Sequence, residues 1–273
     1  MLETFKYINH MNETIEFGQA GIFVNSNDLR DFTWSITSKN DRISGFTKGI
    51  VTKTVPLVIL CEDEHAGIRK KNQIFEIMEK DVLAEQHGKI VIGDFYLKCY
   101  VTESITTNYL MDKRYMNTSL TITTNYPYWI KETSTEYNMS NPNALDYLDY
   151  DFDYPHDYSL ATAGGKLNNA GFVASNFRLT IFGFITNPTV YINGHEYNVN
   201  VTVSTGEYLV IDSVEKTIVL HRYNGEKVNC FNARNKKSYI FEKIEPGTNI
   251  VTCEGKILFT VTLIEERSEP KWI

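Results

Sequence analysis

The chain has 273 residues, 42% of them apolar, and its 27 basic and 34 acidic residues give a net charge of −7. That apolar content excludes a disordered polymer, and the acidic balance argues against a protein whose work is gripping phosphate backbones. The length allows two domains of ordinary size, each with a real core.

The 17 Tyr and 15 Phe, with abundant Thr, Ile and Val, favour strands, because β-branched and aromatic side chains suit a pleated, half-buried surface. Residues 15 to 60 read as short strands, "IEFG", "DFTWSITSK" and "TVPLVIL", separated by Gly, Asn and Asp. A helix is predicted from about Ala66 to His87, since Ile74, Ile77, Met78 and Val82 recur at spacings of three and four and Gly88 stands at the stop. Its apolar stripe is expected to pack on the sheet. From Lys89 to Thr124 two long strands, "KIVIGDFYLKCYVTES" and "RYMNTSLTITTNY", are expected to meet around Asn108 to Lys113 as a hairpin-like element. After Trp129 the polar run "KETSTEYNMSNPNALD" has the composition of a domain boundary. Beyond it, turn signals recur at Asn193-Gly194, Thr205-Gly206, Asn224-Gly225, Pro246-Gly247 and Glu254-Gly255, the rhythm of a β-sandwich or jelly roll.

The segment Tyr147 to Tyr158, "YLDYDFDYPHDY", raises a metal question because Asp149, Asp151 and Asp153 repeat the spacing that opens a calcium loop. Such a loop needs Gly at its sixth position and a bidentate Glu at its twelfth, where this chain has Tyr154 and Leu160. No metal is therefore expected. The same aspartates could act as the paired carboxylates of a glycosidase. Pro155 and the absence of Gly favour instead an extended path, with Asp on one side and Tyr150, Phe152, Tyr154 and Tyr158 on the other as a strap on the second domain.

Other chemistry is sparse. The six histidines form no metal-spaced pair, and neither a nucleophile elbow nor a phosphate loop occurs. His65 beside Glu62, Asp63 and Glu64 is the best acid/base candidate, yet acids in the lead-in to a helix are expected on dipole grounds alone. Cys61, Cys99, Cys230 and Cys253 lie far apart with no C-x-x-C and read as reduced, buried thiols, so neither zinc nor a redox pair is indicated. There is no apolar run long enough to span a membrane, and "MLETFKYINH" lacks the features of a secretory signal, so synthesis and retention in the cytosol are expected. The sequons at Asn12, Asn117, Asn138 and Asn200 then carry no meaning. No catalytic residue, metal ligand or cofactor-binding residue is assigned.

Several short motifs agree in order and spacing with one family. "NETIEFGQAGIFVNSNDLRDFTWSI" resembles the opening strands, and "YPYWI" at Tyr126 to Ile130 the end of the N-terminal domain, of the distal tail proteins of long non-contractile-tailed phages that infect Gram-positive bacteria. The acidic and aromatic segment resembles the entry to that family's C-terminal domain, "LTIFGFITNPTVYINGHEYNV" its first hairpin, and "ERSEPKWI" its terminal segment. The resemblance implies a mainly β protein: residues 1–132 an N-terminal β domain with one helix that forms the ring, 133–158 a linker and strap, and 159–273 a galectin-like, jelly-roll-like β-sandwich.

It further implies a structural virion protein, a distal tail hub made in the host cytoplasm. Such a hub is a homo-oligomeric ring, usually hexameric, joining the tail tube protein and tape-measure protein to a tail-associated lysin or receptor-binding protein at the baseplate. DNA passes through it without specific binding, and no membrane is involved. Sugar binding in galectins resembles H-x-N-P-R followed by a stacking Trp; here Cys230-Phe231-Asn232-Ala233-Arg234 is the nearest match, with Cys in place of His and no Trp between Trp129 and Trp272. No sugar-binding residue is carried over. The alternative reading is a carbohydrate-binding adhesin for host cell-wall polysaccharide, using aromatics such as Tyr223, Phe231 and Tyr239.

Overall fold

The computed structural model of the chain describes residues 5–18, 21–108, 112–139 and 164–272. The segment Tyr147 to Tyr158, with Asp149, Asp151 and Asp153, lies outside the described residues. Contacts divide the chain into two units, Met1–Lys131 with Glu266–Ile273, and Glu132–Glu265.

The first unit is built from β1 (Phe5–Ile8), β2 (Thr14–Phe17), β3 (Ile22–Val24), β4 (Ser35–Lys39), β5 (Arg42–Thr47), β6 (Val51–Leu60), α1 (Glu64–Leu83), β7 (Gly88–Ile92), β8 (Phe95–Thr107) and β9 (Tyr115–Thr124). The first residues of β10 (Trp129–Met139) complete it, Trp129 and Ile130 pairing with Leu97 and Tyr96. Strand β8 serves two sheets. Its first part pairs with β7 from Gly88↔Cys99 to Ile92↔Phe95, and its second part pairs with β9 from Tyr100↔Thr123 to Thr107↔Asn117. A register shift between Val101 and Glu103 marks the change, as expected of a bulge that bends a strand. The single long strand read from Lys89 is thus split: Gly93, at φ 56, turns the chain back between β7 and β8.

Alternation does the rest. Val55, Leu57 and Ile59 on β6, Leu120 and Ile122 on β9, and Ile90 and Ile92 on β7 point inward at period two. Helix α1 adds Ile74, Ile77 and Met78 to that core, each worth about 2 kcal/mol when fully withdrawn from water. Asp63 starts the helix, its side chain accepting from the Ala66 N–H at 2.7 Å. The helix ends at Leu83, earlier than the sequence suggests, and Val82 faces solvent. The inward position one turn on from Ile77 and Met78 belongs to Asp81. Gly88 opens β7 and does not cap the helix; a Cβ there would meet Asp81 Oδ2 at 2.3 Å and the Tyr7 hydroxyl at 2.5 Å.

The second unit takes the rest of β10, with β11 (Gly164–Asn169), β12 (Asn176–Phe182), β13 (Ile185–Thr186), β14 (Thr189–Ile192), β15 (His195–Asn198), β16 (Thr202–Val203), β17 (Tyr208–Asp212), β18 (Thr217–His221), β19 (Lys227–Asn229), β20 (Gly247–Cys253) and β21 (Ile257–Arg267). Residues Lys131 to Met139, which read as the start of a polar linker, continue β10 as strand. One sheet runs β19-β18-β17-β12-β21-β10, the other β11-β20-β14-β15, and β13 pairs with β16 as a short ribbon. Phe177, Leu179, Ile181, Phe259 and Val261 from the first sheet share a core with Leu167, Val190, Ile192 and Val251 from the second. The turn signals act as read: Gly194, Gly206, Gly225, Gly247 and Gly255 all have positive φ, and Asn193-Gly194 makes the two-residue link from β14 to β15. The chain is mainly β, with one α-helix among the described residues and a β-sandwich as its second unit, the fold class expected from the sequence.

Candidate functional site

The most concentrated surface chemistry of the first unit lies at the root of the β4–β5 hairpin. Lys48, just after β5, places its Nζ 4.5 Å from the ring centre of Trp34, 4.4 Å from Tyr128 and 5.8 Å from Phe32. It donates to Pro127 O at 3.2 Å and to Ser268 Oγ at 2.8 Å. Burial, and next the charge of Lys53, lower its pKa from the usual 10.5 to about 8. The segment from Glu266 is held to the same unit by a Tyr126 hydroxyl bond to Glu266 and by Arg30, whose guanidinium lies 4.0 Å over the Trp272 ring and donates to Pro270 O at 3.0 Å. Beside it opens a cavity of about 820 Å³, lined among others by Asn25, Asn27, Arg30, Phe32, Glu269 and Trp272.

From this root the hairpin pairs with no other strand among the described residues. Asn40 and Asp41, at φ 51 and 57, make its two-residue turn, the positive pair that a primed turn requires. A register shift after Thr37 pairs Ile36 with Phe46 and Ser38 with Ile43. Directly paired residues share a face, as do residues two apart on a strand, so Trp34, Ile36, Ile43 and Phe46 all lie on one side. That side is wet: Ile36 is 60% exposed, Ile43 61% and Phe46 57%. An isolated two-stranded ribbon is marginal in water, and an apolar face on it is a surface that seeks a cover.

A second uncovered apolar surface runs along α1. Ile68, Phe75 and Val82 recur every seventh residue on the exposed side, Phe75 being 61% exposed. Between this side and the β8–β9 strands lies a groove of about 360 Å³, lined by Phe75, Met78, Val82, Val101, Met116 and Leu120 among others.

The Lys48 site gives a pH prediction. A lysine whose folded pKa is depressed costs stability while it is charged in both states, and that cost is relieved as pH rises between the folded and unfolded values, because the folded chain releases the proton first. In chemical denaturation the wild type should therefore gain on the Lys48→Met variant as pH rises from about 8 toward 10.5. A constant difference across that range would mean that the amine is not held back.

Other residues singled out from the sequence fall elsewhere. His65 is exposed in the first turn of α1; its neighbour Asp63 is the helix cap, held below the usual carboxylate range chiefly by the Ala66 N–H, and Glu64 pairs with Lys113 at 3.3 Å. The four cysteines are unpaired: Cys99 and Cys230 are buried, while Cys61 and Cys253 are only partly so. Burial pushes the Cys99 thiol up to about 12. Among the described residues no group of three or more His, Cys, Asp or Glu could hold a metal ion. In the second unit Phe231 and Tyr239 come together while Tyr223 does not join them. The Lys48 knot had no signature in the sequence, since Trp34, Lys48, Tyr128 and Ser268 are brought together only by the fold.

The two units define a class, a mainly β protein in which a helix-bearing β unit precedes a β-sandwich. Within that class, the fold is similar to that of the Dit protein of phage SPP1, described as a paradigm of the hub adsorption apparatus in phages infecting Gram-positive bacteria, at TM-score 0.60 and 11% identity over 96% of this chain and 99% of that one. A chain of the phage P2 baseplate in its activated conformation with Ca matches at TM-score 0.59 and 11% identity, covering 99% of this chain and 100% of that one. The same baseplate with Sr gives TM-score 0.59 and 11% identity over 98% and 99%. No protein-family model matches the chain, and no curated protein sequence does.

Proposed function

We propose that the chain is a structural, non-enzymatic protein of a phage tail: a distal hub that closes into a ring between the tail tube and the baseplate or tip apparatus and lets DNA pass. The support is a fold shared end to end with hub and baseplate chains. The observation that carries the ring itself is the β4–β5 hairpin, whose Trp34, Ile36, Ile43 and Phe46 face lies uncovered on the same unit as the apolar groove beside α1. An apolar face and a groove made of different residues form a heterologous contact when the one enters the other on a second copy, the kind that builds rings when its rotation closes. Six copies is the expected number, with the tube and tape-measure proteins on one side of the ring and a lysin or receptor-binding protein on the other.

Native mass spectrometry and light scattering over a concentration series test the ring. Closed hexamers at high concentration are expected, and a monomer at every concentration would remove the reading's mechanical content. Electron microscopy of the intact particle with a labelled antibody should place the protein at the far end of the tail; a capsid location would end the proposal.

A further inference from the structure

We propose that the second unit carries a binding surface for an anionic polysaccharide, a sugar chain bearing phosphate or carboxylate groups, formed by Lys216, Phe231, Arg234, Lys236, Lys237 and Tyr239. Buried Phe241 is its floor. Phe231 stacks on that ring at 6.1 Å and 20°, and Tyr239 meets it edge-on at 6.0 Å and 76°. Tyr239 is 56% exposed, so an aromatic face stands in solvent, held in place from below.

The cations are built into the same cluster. Arg234 lies 3.9 Å over the Phe231 ring and donates to Phe231 O at 2.6 Å, while Lys216 sits 5.3 Å from the Phe241 ring centre and 5.6 Å from that of Tyr239. Lys236 and Lys237 are exposed on the loop between Arg234 and Tyr239. None of these four cations is in an ion pair among the described residues, although the chain as a whole carries a net charge of −7. Of the acids near the patch in the chain or in its contacts, Glu196 is engaged by Asn235 at 3.0 Å, and Glu215 and Glu242 flank the patch in sequence.

The loop is also pinned in shape. Ser238 Oγ donates to Glu196 O at 2.8 Å, Asn235 N to Asn198 O at 3.1 Å and Glu242 N to Tyr239 O at 3.0 Å, and His195 Nε2 lies 2.9 Å from Tyr239 O. A fixed ring with Arg234 and Lys216 held against aromatic faces binds without first having to order its centre, and Lys236 and Lys237 add exposed charge beside it. Ring plus cation is the chemistry that recognises a pyranose face carrying an anion nearby. The patch is short and the chain acidic, which disfavours the long phosphate tracking that nucleic acid binding uses.

The test is titration of the full-length protein with polygalacturonate, a phosphorylated mannan, neutral dextran and a thymidine oligonucleotide. Binding of at least one acidic polymer and not of dextran is expected, and which of the two binds names the anion. Tyr239→Ala, and separately Lys236→Ala with Lys237→Ala, should each weaken that binding about tenfold. Arginine at positions 236 and 237 should preserve it. All these side chains are surface groups, and an unchanged unfolding midpoint checks each variant. No binding to either acidic polymer, binding that survives both sets of substitutions, or equal affinity for the oligonucleotide would overturn the site. The result stands apart from the hub reading, since rings that ignore both polymers would refute this surface alone.

Discussion

Replacing Asp81 by alanine should lower the unfolding midpoint of the first unit more than any surface change considered above. The Asp81 side chain is fully buried, and three groups converge on its carboxylate: the Tyr7 hydroxyl at 2.5 Å, the His10 backbone N–H at 2.8 Å and His10 Nδ1 at 2.5 Å. Removing the acceptor strands the Tyr7 hydroxyl in a core that excludes water, Tyr7 being 1% exposed, and takes the partner from the half-buried His10. The loss is about 3 kcal/mol or more, which for a unit of this size is a fall of roughly 10 °C. Asn at position 81 keeps one acceptor but turns an N–H₂ toward donors, so it should fall between wild type and alanine. Burial and the Asp81 hydrogen bond both push the Tyr7 hydroxyl above its usual pKa, so that it remains a donor through the physiological range. Calorimetry of the three proteins at neutral pH decides it: a midpoint unmoved by Asp81→Ala would mean that the carboxylate anchors nothing. Gly88→Ala, which presses a methyl into the same two oxygens, should destabilise in parallel.

That cluster shows where sequence reading reaches and where it stops. The stripe Ile74, Ile77, Met78 was legible because helical period is a local property, and its next inward position read as Val82. The structure gives that position to Asp81, because a carboxylate can be buried wherever distant donors meet it, and Tyr7 and His10 are more than seventy residues away in sequence. The sandwich turns were legible for the opposite reason. Asn193-Gly194 and its counterparts demand positive φ by their own chemistry, whatever the surroundings. The second half of "DFTWSITSK", Ser35–Lys39, is strand as read while Asp31–Trp34 is not, and period two says only that one face differs from the other. It does not say that the apolar face of β4 is left in water. Likewise Phe231 and Tyr239 could be named as candidate aromatics, while the convergence of Lys216 upon them is a consequence of the β17–β18 turn reaching the same end of the sandwich, which no local pattern records.

The uncovered hairpin carries the prediction with the clearest effect on function. Ile36→Glu with Phe46→Glu should leave a folded monomer that no longer forms rings. The paired side chains are cross-strand neighbours whose exposure means that little of the unit's own stability rests on them. If a neighbouring copy covers them, the two new carboxylates would have to enter a largely apolar groove whose lining holds Glu79 and Glu103 against the single cation Lys71, at a cost of several kcal/mol per contact. That cost recurs at every contact around a closed ring. The reciprocal change, Phe75→Glu on α1, should do the same from the other side of the contact, because Phe75 lines the groove and is exposed on the isolated unit. Mixing the two variants separates contact from misfolding. Each retains one intact surface, so the pair can form a single heterologous contact between wild-type faces, seen as a heterodimer by native mass spectrometry, while neither variant alone associates. Rings that persist in the double hairpin variant would show that the ring closes through other surfaces, with the second part of β8, which among the described residues pairs only with β9, the next to be substituted.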